Sequence, residues 1–284
     1  MTKRRQAEIQ FLAETLINLG KPVYMLSEFK LFLKDNRIGN SSLTSLSSDL
    51  MDYGSIKKIV LRSEGYKDVE RIAVPLLNPT PYHYATSLRH GAYLCHASSM
   101  NILGLTQQIP KTIYVNKEQS QKPISKDPLR QESIDRAFSH SQRRSKYIFK
   151  IDNFQIILLS GKNSANTGVE TDDYLGLPRT CLERTLIDIT VRPRYGGGVF
   201  QVAQAFEASI NTIDFKKLLR LLKKLNYKYP YHQSLGFYLE KAGAGENILS
   251  QLRNLGTDFD FYLDYSIASP KFDNSWRVYF PPGI

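Results

Sequence analysis

The sequence predicts an α+β chain of two domains, a small N-terminal one of helices and a hairpin, then a larger mixed α/β one. Three observations predict this. The first 75 residues hold three apolar stripes at helical spacing and two strand-like runs around a glycine turn. Asn78-Pro79-Thr80-Pro81 then breaks the pattern with two prolines. Beyond the prolines, amphipathic helical segments are mixed with short strand-like ones.

At 284 residues, with 42% hydrophobic and 23% charged side chains, the chain can bury a real core and ranks as an ordinary globular protein. No apolar run approaches the roughly 18 residues of a membrane span. The N-terminus, Met-Thr-Lys-Arg-Arg, turns amphipathic without the apolar stretch of a signal peptide, so a soluble cytoplasmic protein with no membrane partner is expected. Cys95 and Cys181 sit singly in apolar patterns and read as buried free thiols. The net charge is +11, which favours an anionic partner. Its distribution is uneven: +3 over residues 1–75, +7 over 76–150 and +1 over 151–284.

In the N-terminal segment, residues 6–19 place Ile9, Leu12, Leu16 and Leu19 on one helical face, and Gly20 and Pro22 end it. A second helix is expected over Leu26–Leu33 with Ser27 as its cap, and Asn36 and Gly39 mark a turn. The third, over Asn40–Tyr53, aligns Leu43, Leu46 and Leu50; Gly54 closes it. Ile56–Arg62 and Val69–Val74 read as strands joined at Ser63-Glu64-Gly65-Tyr66. Three helices and a basic hairpin compose a winged helix-turn-helix, whose third helix enters the major groove. Ser41, Ser42, Thr44, Ser45 and Ser48 are short hydroxyls suited to phosphate and base edges. Lys57, Lys58, Arg62, Lys67 and Arg71 would place cations near phosphates. The plainer alternatives are a protein-interaction module and a solvated strand face.

These readings give a winged helix-turn-helix at 1–77, a linker at 78–83 and a larger domain at 84–284. In the larger domain a long helix is expected over Tyr84–Leu103, a strand near Ile109–Val115, and a polar loop over 117–131. Tyr147–Phe149 and Phe154–Leu159 read as an antiparallel pair. Helices follow over 179–190, Val199–Ser209, Phe215–Leu225 capped by Asp214, and from Tyr231. Phe259–Tyr265 and Trp276–Phe280 read as strands. Arg143, Arg144 and Lys146 form a basic cluster that either touches a phosphate backbone or acidic partner or is simply solvated.

Several of these segments carry a family likeness. Tyr93-Leu94-Cys95-His96-Ala97-Ser98-Ser99-Met100 runs into Gly104-Leu105-Thr106 and Ile109–Val115. Cys181-Leu182-Glu183-Arg184-Thr185-Leu186-Ile187-Asp188 precedes Arg192-Pro193-Arg194-Tyr195-Gly196-Gly197-Gly198. Tyr229–Glu240 contains Leu235-Gly236 and Leu239-Glu240. In order and spacing these stretches resemble the AbiEi antitoxins of type IV toxin–antitoxin (abortive infection) systems, over roughly residues 5–245, with a longer insert near 117–176. The resemblance implies an antitoxin-type larger domain that counteracts a cognate nucleotidyltransferase-like toxin. It also implies a winged-helix repressor of its own operon, with double-stranded operator DNA as the second partner and phage defence as the setting. Within the second motif, Glu183, Arg184 and Asp188 either pair along their helix or form part of a partner-facing surface.

No catalytic site, metal or cofactor is expected. Gly196-Gly197-Gly198 lacks the GK[ST] of a phosphate loop. The five histidines make no HxxxH pair, and no GxSxG elbow occurs. Asp258, Asp260 and Asp264 would share one side of a strand and are the best acidic set for a metal-dependent nuclease or nucleotidyltransferase. The other rival is a stand-alone winged-helix transcription factor whose larger domain senses a ligand or protein. Either a monomer on paired half-sites or a dimer fits the sequence.

Overall fold

The structure, a computed structural model, describes residues 2–123, 127–142 and 144–284. It is a mixed α+β fold. In chain order its elements are α1 (Lys3–Asn18), β1 (Val23–Met25), α2 (Leu26–Asn36), α3 (Leu43–Asp52), β2 (Lys57–Ser63), β3 (Val69–Ala73), α4 (Pro81–Thr86), β4 (Tyr93–Leu94), α5 (Ala97–Ile102), β5 (Thr112–Asn116), α6 (Gln131–Ser139), β6 (Ile148–Ile151) and β7 (Phe154–Leu159). There follow β8 (Val169–Thr171), β9 (Pro178–Thr180), α7 (Leu182–Val191), α8 (Val199–Ser209), α9 (Phe215–Leu225), α10 (Tyr231–Lys241), α11 (Glu246–Arg253), β10 (Phe261–Tyr262), β11 (Lys271–Asp273) and β12 (Val278–Phe280). No helix among the described residues is long and apolar enough to cross a membrane.

The chain divides into two compact units. The first comprises the residues up to Ala92 together with Lys111–Val115 and Lys146–Leu158. Its helices pack as the apolar spacing demands: Ile9, Leu12 and Leu16 of α1 meet Phe29 and Leu33 of α2 and Leu46 and Leu50 of α3, all buried. Fully burying each such side chain is worth about 1.5–3 kcal/mol. Tyr24 and Ile72 close this core from the sheet. Val23–Met25 is strand rather than loop because it pairs antiparallel with β3, Tyr24 opposite Ile72. That pairing moves the start of α2. Met25, not Ser27, is the cap residue, and Glu28 turns back to accept a hydrogen bond from the Met25 amide at 2.9 Å.

The strands of this unit run β1-β3-β2-β6-β7-β5. The hairpin β2–β3 is therefore not a free two-stranded ribbon. Beyond β3, β2 pairs antiparallel with β6, Arg62 opposite Lys150 and Ser63 opposite Phe149. Two segments from the stretch read as the larger domain thus complete the sheet of the first unit.

The second unit comprises Tyr93–Pro110, Asn116–Ser145 and Leu159–Ile284. Its core gathers Leu186 and Ile187 of α7, Phe206 of α8, Leu218 of α9, Tyr238 of α10, Leu252 of α11 and Trp276. This unit also holds the strands β4, β9 and β8, hydrogen-bonded in that order, and a three-stranded sheet, β10-β12-β11. The single long helix expected over Tyr84–Leu103 is replaced by α4, β4 and α5. Backbone sign explains this. Gly91 has φ +69° and His96 has φ +50°, both outside the helical region. The expected strand over Phe259–Tyr265 shrinks to Phe261–Tyr262, and α6 follows directly on the polar stretch read as loop.

Candidate nucleic-acid interface

In the first unit, α3 begins at Ser42, whose Oγ accepts a hydrogen bond from the Ser45 amide at 3.1 Å. This satisfies one of the donors a helix start leaves open. Arg5 of α1 then straps α3 in place. Its Nε donates to Asp49 Oδ2 at 2.6 Å, and its guanidinium also donates to Ser45 Oγ at 3.0 Å and Glu8 Oε2 at 3.1 Å. Buried Glu8 in turn accepts from the Ile38 and Gly39 amides at 3.1 and 3.3 Å, holding the α2–α3 turn on α1. The hydroxyl face read from sequence is thereby split. Ser42 and Ser45 have partners inside the unit; Thr44 and Ser48 are exposed, and Ser41 is half-buried just ahead of the cap.

The hairpin cations separate by strand face, because successive side chains point to opposite sides. Lys58 lies opposite Ile72 in register, so Lys58, Val60 and Arg62 share the side on which Ile72 meets the helices. Lys58 pairs with Glu70 at 2.7 Å. Arg62 and Lys67 are exposed. Lys57 is opposite Ala73 and lies on the other side, where it lines a shallow cleft of about 400 Å³ with Ile59, Tyr84 and Asp152.

Arg71 is on that other side too, and the expectation of a phosphate contact there is corrected. Its side chain is buried; Nε donates to Ser87 O at 3.0 Å, and Nη2 to Ser87 O at 2.6 Å and Leu88 O at 3.2 Å. It serves the carbonyls left open just past α4, as a cation does at a helix C-terminus. Burial lowers its pKa to about 10, so it stays charged. Arg143 lies outside the described residues. Arg144 is exposed in the second unit and Lys146 in the first.

In the second unit, Glu183, Arg184 and Asp188 are buried, so the partner-facing alternative for them is corrected. Arg184 Nε donates to Asp188 Oδ1 at 2.7 Å, and its Nη1 reaches Ser164 Oγ at 3.2 Å and the Thr167 carbonyl. Burial opposes the charge on Arg184, but the adjacent Asp188 more than offsets this and raises its pKa. Glu183 accepts from the Asp214 amide at 3.2 Å and pairs with Lys217 at 2.8 Å, joining α7 to the start of α9.

Sequence reading missed the groups on the far side of Arg184. Glu118 accepts from the Ser164 amide at 2.8 Å, from Ser164 Oγ and from Tyr93 at 3.0 Å. Burial would raise the Glu118 pKa, yet these hydrogen bonds bring it below its usual value. Nothing in spacing could have signalled this, since 25 and 46 residues separate the partners.

Asp258 and Asp260 fall before β10, not on it, so the alternation that would align them with Asp264 is absent. Asp260 pairs with Arg277 at 2.6 Å, and Asp264 Oδ1 accepts from the Tyr265 amide at 2.8 Å. Among the described residues, no group of three His, Cys, Asp or Glu gathers as a metal site. Both cysteines are buried and free.

No family model matches the chain. No curated protein matches it either. Among solved structures, it is similar to that of the RV2827C protein from Mycobacterium tuberculosis. The TM-score is 0.55 at 14% identity, over 96% of this chain and 91% of that one. That likeness is one of fold.

Proposed function

We propose that this chain is a DNA-binding regulator, an antitoxin and autorepressor whose first unit acts as a winged helix-turn-helix. The observation that carries the DNA-binding part is α3: a helix strapped by Arg5 that leaves Thr44 and Ser48 facing solvent. The exposed Arg62 and Lys67 follow on the adjoining hairpin. Short hydroxyls allow close approach to base edges, and cations contribute the salt-dependent part of the affinity. In this reading α3 lies in the major groove of the operator and the hairpin is the wing. Ser42 and Ser45 hold the helix rather than read DNA.

The antitoxin part, with a nucleotidyltransferase-like toxin as antagonist, rests on the resemblance carried by residues 181–198 and 229–240. The proposed setting is the cytoplasm, with no cofactor and no catalytic step. The test is binding of the full chain to duplex DNA from upstream of its own gene, across a salt series. Thr44→Ala and Ser48→Ala should each weaken specific binding by about 1–3 kcal/mol without altering stability. No shift of that duplex at low salt would reject the regulator reading. Growth rescue on co-expression with the product of the adjacent gene tests the antitoxin reading separately.

A further inference from the structure

The sheet pairing brings two exposed tyrosines together at the tip of the hairpin. Past Arg62–Lys150 and Ser63–Phe149, the Glu64 amide donates to the Ile148 carbonyl at 3.1 Å, so the turn at Gly65 and Tyr66 meets the start of β6. There Tyr66 and Tyr147 stack with ring centroids 4.5 Å apart and planes at 26°. They are 45% and 38% exposed. The charges around them are mostly positive. Glu64 is taken by Lys150, and Asp68 accepts from the Ser63 amide at 2.8 Å. Arg62, Lys67 and Lys146 remain exposed, and no ion pair to them forms among the described residues.

We infer that the contact of the wing with double-stranded DNA extends past the hairpin itself onto the residues leading into β6, flanking the site of α3. Tyr66 and Tyr147 form its aromatic element, and Arg62, Lys67 and Lys146 engage phosphates. Charge complementarity selects a polyanion, and a duplex bound at α3 brings its phosphates beside this tip. Lys146 and Tyr147 come from a segment far along the chain, so the contact exists only because β6 joins β2. The inference rests on the reading of the first unit as a duplex-DNA binder, and extends the site beyond the footprint of α3.

The test compares wild type, Tyr66→Ala/Tyr147→Ala and Lys67→Ala as full chains, on the upstream duplex and on its separated strands, with footprinting and a salt series. Thermal melting checks that the double variant folds, and Lys67→Ala supplies a reading that leaves the stack intact. The double variant should bind the duplex on the order of tenfold more weakly and lose protection on one flank. Lys67→Ala should lower the salt slope by about one. If wild type protects the duplex and both variants match it in affinity, slope and footprint, this inference is overturned while the α3 reading stands. Tighter binding of wild type to a single strand than to the duplex also overturns it. Failure of wild type to bind any duplex removes both.

Discussion

His96 shows what burial does to one titratable group. It sits at a positive φ of 50° between β4 and α5, edge-on to Tyr195 at 5.4 Å. Burial lowers its pKa from 6.5 to about 4, with Asp188 opposing and Arg192 and Arg184 reinforcing the shift. The unfolded chain therefore binds a proton near pH 6.5 that the folded one refuses until about pH 4. Since the unfolded state binds more protons in that window, stability must fall as pH falls through it. His96→Gln should flatten this dependence, measured by urea denaturation at the two ends of the window. Equal losses for wild type and variant would show that His96 is not the group responsible. The sequence set His96 outside any HxxxH pair, but its depressed pKa was not legible there, because the groups that surround it come from α7 and the turn after it.

At the scale of elements, close approach decides which residues a helix can carry. Gly236 lies in α10 against the indole of Trp276, and a Cβ there would stand 2.1 Å from Cζ3. The ring cannot retreat. Its Nε1 donates to Glu240 Oε2 at 3.0 Å, and the Arg253 guanidinium lies 4.8 Å from its centroid. Gly236→Ala should cost at least about 1–3 kcal/mol through overpacking, read as a lowered denaturation midpoint. An unchanged midpoint would mean that α10 can shift away from the indole. The Leu-Gly pattern in α10 was visible in the sequence; the indole it accommodates, 40 residues later, was not. α3 gives the same lesson. Its apolar spacing placed Leu46 and Leu50 in the core, as observed. Which of its hydroxyls are free depended on Arg5, an N-terminal side chain whose reach no helical period encodes.

For the molecule as a whole, the consequence concerns sheet edges. β2 is paired on both sides, with β3 and with β6, so the first unit draws on chain beyond Ala92. A fragment ending at Ala92 lacks β5, β6 and β7 and leaves one side of β2 open. Open strand edges pair with other chains. That fragment should melt at a lower temperature than the full chain and self-associate with rising concentration, as light scattering would register. A monomeric fragment with an unchanged melting temperature would show that β6 adds nothing to the unit.

Local rules account for what the sequence by itself determined: the three apolar stripes of α1, α2 and α3, the strands β2 and β3, the buried thiols and the α+β class. Each follows from the 3.6- and 2-residue periods of elements that bury one side. The tertiary structure decided the rest. It turned Arg71 inward to the carbonyls past α4, sank Arg184 and Asp188 beneath Ser164 and Thr167, and set β6 beside β2. Those outcomes depend on which distant segments meet. A buried cation or an open strand edge is tolerated only with a partner, and the partner's position is set by the fold rather than by residue spacing.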